Sequence, residues 1–417
     1  MLGHRPSASR APGSYTGGVN TYLDHAATTP VRPAVVETFA RVAAEVGNPS
    51  SLHADGRRAR RTLEEAREQL AAALGAEPAE VIFTSGGTEA DNLALTGTWF
   101  QVSAHQPQRR DVVISAVEHP AVLDTAHALG DRHGAPVHLI PVNADGRVRT
   151  DALEQYLDER GEQTAVASVM WANNETGAIQ PLDELVGLAR RHRIVVHTDA
   201  VQAVGRVPVD FAAADVDALS LSGHKLGAPV GIGALLARRQ TPLTPVLHGG
   251  GQERSVRSGT LPVAAAAALA HAVELAVADQ QAEHTRLREL SGMLIEQVPQ
   301  IVPGAVLQGP AGDGDRLPGH VLFTIEGTDA EAVLFGLDMA GISAASGAAC
   351  QAGVNQPSHV LQAMGLDGPA ARSGLRLTLG HTSTAQDVQA LLRVLPDVVE
   401  RARAAFSPPR ATQVEVG

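Results

Sequence analysis

Cysteine is nearly missing from this chain. Its 417 residues hold one, Cys350, so no intrachain disulfide and no cysteine-based metal cluster can form within a single copy. Positive charge is also short, with 33 Lys and Arg against 45 Asp and Glu for a formal net charge of −12. A general nucleic-acid binder would be basic, so small molecules are the expected partners and no direct nucleic-acid contact is expected. Residues 1–20 lack any apolar run, unlike a signal peptide, and read as a flexible extension in a cytoplasmic protein. Runs of membrane-spanning character are lacking too. The longest apolar stretch, 261–278, is mostly alanine and carries His271 and Glu274, so it reads as a buried core helix with no membrane expected.

What is present is organised around residues 219–227, LSLSGHKLG. Residues 216–221 alternate as a strand does, and Ser222 and Gly223 break the run. Lys225 therefore stands at a strand end, partly shielded from water, where its amine can serve as a nucleophile or base. It is a candidate Schiff-base lysine. Upstream, RIVVHTDAVQ gives a strand over 194–197 that runs into Asp199, with Gln202 three positions on. A carboxylate at a strand's carboxyl end sits where open α/β sheets bind ligands. Pyridoxal phosphate requires a carboxylate opposite its pyridine nitrogen, and the pair Asp199 and Lys225 fits that requirement.

Other strands end in the same way. In VIFTSGGTEADN the strand stops at Ser85-Gly86-Gly87-Thr88 and a helix starts at once, which suits a phosphate held by backbone N–H groups. VVISAVEHP delivers Glu118 and His119 to a strand-to-helix junction, and a strand over 164–171 ends in Asn173, Asn174 and Glu175. Strands alternating with helices imply a mainly parallel sheet. GIGALLARR adds a further strand, and the glycine-rich loop 248–260 offers Arg254, Arg257, Ser258 and Thr260 to an anion. An amphipathic helix over about 56–74 carries Arg57, Arg58, Arg60 and Arg61, expected to pair with Glu64, Glu65 and Glu68 at helical spacing. A helical run over 261–297 bridges to a smaller lobe with a helix over 329–339, a small-residue loop holding Cys350, a helix starting at Ser358, a strand bearing Arg376 and a last helix over 384–405. Residues 407–417 read as a tail.

The motifs LDHAATTP, GNPSSLH, FTSGGTEADN, EHPAV, NNETG, HTDAVQ, SGHK, GGGQERSVRSGT and SGAAC together resemble the cysteine desulfurases, pyridoxal-phosphate enzymes of the class V aminotransferase group. SGAACQAGVNQPSH is most similar to the branch with the longer cysteine loop. The resemblance implies a fold-type I α/β transferase: a large cofactor domain over 21–275, its first fifteen or so residues contributing to the small lobe, and a small α+β domain over 276–406. It implies that Lys225 carries the cofactor, Asp199 holds the pyridine nitrogen, Gln202 the phenolic oxygen, and His119 stacks on the ring and moves protons. Gly87, Thr88, Ser222 and His224 would grip the phosphate, joined by Thr260 of the partner subunit in a homodimer. Asn174 and Arg376 would face the substrate carboxylate, and Cys350 would accept sulfur from L-cysteine as a persulfide, leaving alanine. An acceptor protein in iron–sulfur cluster assembly or a thiolation pathway would then take the sulfur. The alternative is a selenocysteine lyase or a related lyase or aminotransferase without a persulfide. Val230, Ala228, Ala90 and His381 depart from the usual pattern without removing any of these groups.

Overall fold

The computed structural model describes residues 21–312, 314–347 and 356–406. The expected extension over 1–20, the tail over 407–417 and Cys350 lie outside them. After a short strand β1 (Thr21–Tyr22), the apolar runs form β2 (Val81–Thr84), β3 (Asp111–Ser115), β4 (Val137–Ile140), β5 (Thr164–Ser168), β6 (Val195–Asp199), β7 (Ala218–Ser222) and β8 (Gly233–Ala237). These seven make one sheet in the order β2-β8-β7-β6-β5-β3-β4. Its ladders are parallel except that β8 runs antiparallel to both β2 and β7. Every residue of β2, β3, β5, β7 and β8 is buried, as strands covered on both faces must be.

Alternation along the strands divides the core between the two faces. Ile82, Val112, Ile114 and Leu235 pack under Ala90, Leu93 and Ala94 of the helix Gly87–His105 and Val122 of the helix Pro120–His133. Phe83, Val113, Leu219 and Leu236 face the other way, toward Val35, Leu63, Leu70 and Ala266–Ala270. Those last residues come from the helices Pro33–Ala43, Ala54–Ala73 and Val263–Ile301. The 39-residue helix Val263–Ile301 is long and apolar enough to cross a membrane by length and composition. Here its alanine-rich half is packed in the core of the sheet. Its second half sends Leu287, Leu290, Leu294 and Val298, one helical face, into a separate smaller core.

That smaller core lies on an antiparallel sheet of β9 (Ala305–Gln308), β10 (His320–Ile325) and, beyond β11 (Ile342–Ser343), β12 (Gly374–Thr378), in the order β12-β10-β9. The helices Ala330–Met339 and Ala385–Phe406 cover it, Asp329 capping the first through Glu331 N–H. β1 pairs in parallel with β11, and Leu23 is buried in this core. Residues 21–23 therefore belong to the small lobe, and the chain crosses into the large one along residues 23–32.

One expected charge pattern is corrected. Arg57 donates to Leu52 O at 2.6 Å, Arg60 to Pro49 O at 2.8 Å, and Arg58 pairs with Asp55 and Glu45, while Glu64 serves Arg67. Helical side chains lean toward the N-terminus, and residues 46–53 fold back there, offering carbonyls that spacing rules do not anticipate.

Candidate active site

The carboxyl ends of β2, β3, β5, β6 and β7 converge on one cavity of about 560 Å³. Ten of the candidate residues line it: Gly87, Thr88, His119, Asn174, Asp199, Gln202, Ser222, His224, Lys225 and Arg376. Arg376 reaches it from β12 of the small lobe, so both lobes build the site. Thr260 is exposed and stands outside the lining of this chain's cavity. Cys350 lies outside the described residues.

Lys225 follows β7 in a single 3-10 turn, and its Nζ donates to Ala26 O at 2.5 Å and Ala27 O at 2.7 Å. Gln202 Nε2 donates to the same Ala26 carbonyl at 3.0 Å, while its Oε1 is buried with no hydrogen-bond partner. Asp199 ends β6, and its Oδ1 accepts from Val201 N–H at 2.9 Å. Burial raises the Asp199 carboxyl to about 6, against the pull of the Val201 N–H and of Lys225. Glu118, fully buried beside it, is raised by burial to about 8, although Ser115 Oγ and Met170 N–H both donate to its Oε1.

His119 is the N-cap of the helix Pro120–His133, with proline at the position that needs no N–H and Nδ1 accepting from Ala121 N–H at 3.1 Å. The neutral ring thus keeps its proton on Nε2. Burial, with Lys225 and His359 nearby, lowers His119 to about 4, so the ring is uncharged at neutral pH. His224 is lowered to about 4 by burial and then by Lys225.

The helix Gly87–His105 has no side-chain cap, so its first-turn N–H groups are left for another acceptor at the cavity wall. Close packing makes glycine necessary here, since a Cβ on Gly87 would lie 2.8 Å from Val201 Cγ2. Arg257 does not stand ready for an anion, as the sequence suggested. It forms a bidentate pair with Glu89, and Arg254 donates to Ala237 O and Arg239 O. Glu89 sits beside the uncapped helix start, and Arg257 together with Ser85 N–H offsets its charge and lowers its pKa. Asn173 spends its Oδ1 on the Glu175 and Thr176 N–H groups and shapes the turn, which leaves Asn174 facing the cavity.

Arg376 is 2% exposed. Its guanidinium donates to Asn174 O at 3.1 Å and pairs with Asp24 at 2.8 Å, while Nε has no partner. Reading residue by residue missed Asp24, the Ala26 and Ala27 carbonyls, Glu89 and Asp91. Asp24 and Asp91 both lie inside motifs that stand out, LDHAATTP and TEADN, and that position was their one visible signal.

Most of the chain is similar to known proteins. The family model described as Aminotransferase class-V matches residues 21–391. An IscS-like cysteine desulfurase of Mycobacterium tuberculosis is 50% identical over 384 residues, covering 92% of this chain and 97% of that protein. Among solved structures, a NifS-like protein superposes with a TM-score of 0.84 at 31% identity, covering 92% of this chain and all of that one. SspA in complex with cysteine gives 0.73 at 32% identity, covering 86% and 98%.

Proposed function

We infer the following chemistry for a chain that belongs to the aminotransferase class-V family and, within it, to the cysteine desulfurases. It converts L-cysteine to L-alanine and passes the sulfur to its own Cys350 as a persulfide. An acceptor protein, an iron–sulfur scaffold or a thiolation carrier, takes it from there. The observation that carries the reading is the single cavity in which Lys225, Asp199, His119 and Arg376 meet.

The residues present fit pyridoxal phosphate. The uncapped helix start with Thr88, Ser222 and His224 suits the phosphate, and the unpartnered Gln202 Oε1 and Arg376 Nε mark polar walls awaiting a ligand. When bound, the cofactor supplies an electron sink for the pair left as the substrate's Cα–H bond breaks. Lys225 would hold the cofactor through Nζ and, once the substrate amine has replaced it there, the freed Nζ would take the Cα proton. Asp199 would hold the pyridine nitrogen. The neutral His119 ring would stack on the cofactor, with its Nε2–H available to give. Arg376 and Asn174 orient the substrate carboxylate, a planar task suited to a guanidinium. The Cys350 thiolate attacks the substrate sulfur, so an S–S bond forms as the Cβ–S bond breaks, and the carbon left behind takes a proton to become alanine. Two copies forming a homodimer would bring Thr260 of the partner subunit to the phosphate.

The test is mass spectrometry of the Cys350 peptide after brief exposure of the cofactor-loaded protein to L-cysteine. A persulfide with alanine released is expected, and Cys350→Ala retains the cofactor but not sulfur transfer. Alanine without a persulfide would move the reading to a lyase, and neither product would remove it.

A further inference from the structure

The turn 173–177, which follows β5, faces two ways. Asn173 ties it down: its Nδ2 donates to Val117 O at 3.0 Å, and its Oδ1 accepts the N–H groups of Glu175 and Thr176 at 2.9 Å each. On that fixed turn Asn174 lines the cavity. Glu175, the next residue, is 2% exposed and stands outside the lining. The proposed chemistry gives this buried carboxyl no task.

Glu175 reaches from the large lobe to two points of the small lobe that flank Cys350 in sequence. Ser358 Oγ donates to its Oε2 at 2.5 Å, and Ser358 is 1% exposed. That hydroxyl also accepts Leu361 N–H at 3.1 Å, which leaves its one hydrogen for the carboxyl. The same Oε2 fills the space over Gly347, where a Cβ would lie 2.2 Å from it. Only glycine leaves the oxygen that place. The small lobe holds each point from behind. Ser358 N–H donates to Ala371 O at 3.1 Å, and Ala345, just before Gly347, exchanges backbone bonds of 2.7 and 3.2 Å with Arg376. One carboxyl oxygen therefore meets both flanks of the segment that carries the cysteine.

Cys350 stands three residues from Gly347. Three peptide units span no more than about 11 Å, so the seating of Gly347 bounds where the thiol can act. That seat is built on the turn that also presents Asn174 to the cavity.

We propose that Glu175 is a positioning residue for sulfur transfer. It fastens Gly347 and Ser358 to the turn bearing Asn174 and so sets the reach of the Cys350 thiol toward the substrate sulfur. The inference rests on the proposed reaction and adds no step to it.

Two rates on the cofactor-loaded full chain separate this role from general support of the site. Rapid-quench mass spectrometry of the Cys350 peptide reads persulfide formation. Exchange of the L-cysteine Cα proton with heavy water, in a Cys350→Ala background, reads the step that needs Lys225 but no acceptor thiol. Glu175→Ala and Ser358→Ala are each expected to slow persulfide formation about tenfold or more, as loss of a hydrogen bond to a carboxylate does. The exchange rate is expected to stay within about twofold of the same background. Glu175→Gln, whose amide oxygen accepts the Ser358 hydroxyl at the same reach, is expected to keep most of the persulfide rate. The double variant is expected to fall little further than either single one, because both remove the same bond. Equal losses in the two rates, or losses that multiply in the double variant, would overturn the proposal. Should Glu175→Ala fail to fold, Ser358→Ala against Ser358→Thr, which keeps the hydroxyl, carries the same comparison. A persulfide that forms as fast in the variants as in wild type removes the role of Glu175 and leaves the proposed reaction standing, whereas no persulfide in wild type removes both.

Discussion

Replacing Arg376 with lysine separates charge from shape at the proposed substrate end of the site. The guanidinium spans Asn174 O and Asp24 Oδ1 and still has an unpartnered Nε in a nearly closed environment. A lysine keeps the positive charge but cannot hold both partners and a substrate carboxylate at once. The loss is at least one hydrogen bond to a charged group, about 1.5–3 kcal/mol. That corresponds to a fall of about 10- to 150-fold in kcat/KM. Because the carboxylate is bound before and during the reaction alike, the change falls mainly on KM. The assay is alanine formation against L-cysteine concentration, with the cofactor absorption band recorded in parallel and expected unchanged. A kcat/KM within about threefold of wild type would refute the placement of the carboxylate at Arg376.

Three further outcomes follow from the packing. Glu253 accepts both arms of buried Arg67 and the Phe83 N–H, fastening the glycine-rich loop to β2, so Glu253→Ala is expected to cost about 3–5 kcal/mol, read as a drop in the thermal midpoint. His119→Asn preserves the helix cap, while His119→Ala costs about 1 kcal/mol. Because His119 is lowered to about 4, its neutral burial favours folding above the free-histidine range and loses that benefit as pH falls; His119→Asn gains on wild type in denaturant between about pH 6.5 and 4. Gly347→Ala would place a Cβ 2.2 Å from Glu175 Oε2, the atom that also accepts from Ser358 Oγ, and is expected to cost about 1–3 kcal/mol in thermal unfolding.

The residues most legible in the sequence were those at strand ends, because an apolar run followed by a polar break is a local signal. Asp199, Lys225, His119 and Asn174 all announce themselves that way, and so does the alternation that divides the core. Asp91 did not, because a polar residue within a helical pattern reads as a solvated face unless the neighbouring strands are known. The carbonyls of Ala26 and Ala27 were illegible in principle, since residue type says nothing of where a backbone oxygen points. The reversal of β8 was hidden too, because a strand covered on both faces reads the same in either direction. Arg257 was read as available because its partner Glu89 lies 168 residues away.

Residues 21–32 also constrain when the site can exist. Asp24 meets Arg376, Ala26 N–H meets Thr378 Oγ1, each pair 352 residues apart, and the Ala26 and Ala27 carbonyls wait for Lys225, 199 and 198 residues on. Contacts so distant in sequence close late in folding. During synthesis this stretch emerges long before anything it holds, and the cavity has no complete wall until β12 has been made. Capture of the proposed cofactor would thus follow translation of nearly the whole chain, and a chain stopped short of β12 would carry Lys225 without a finished site around it.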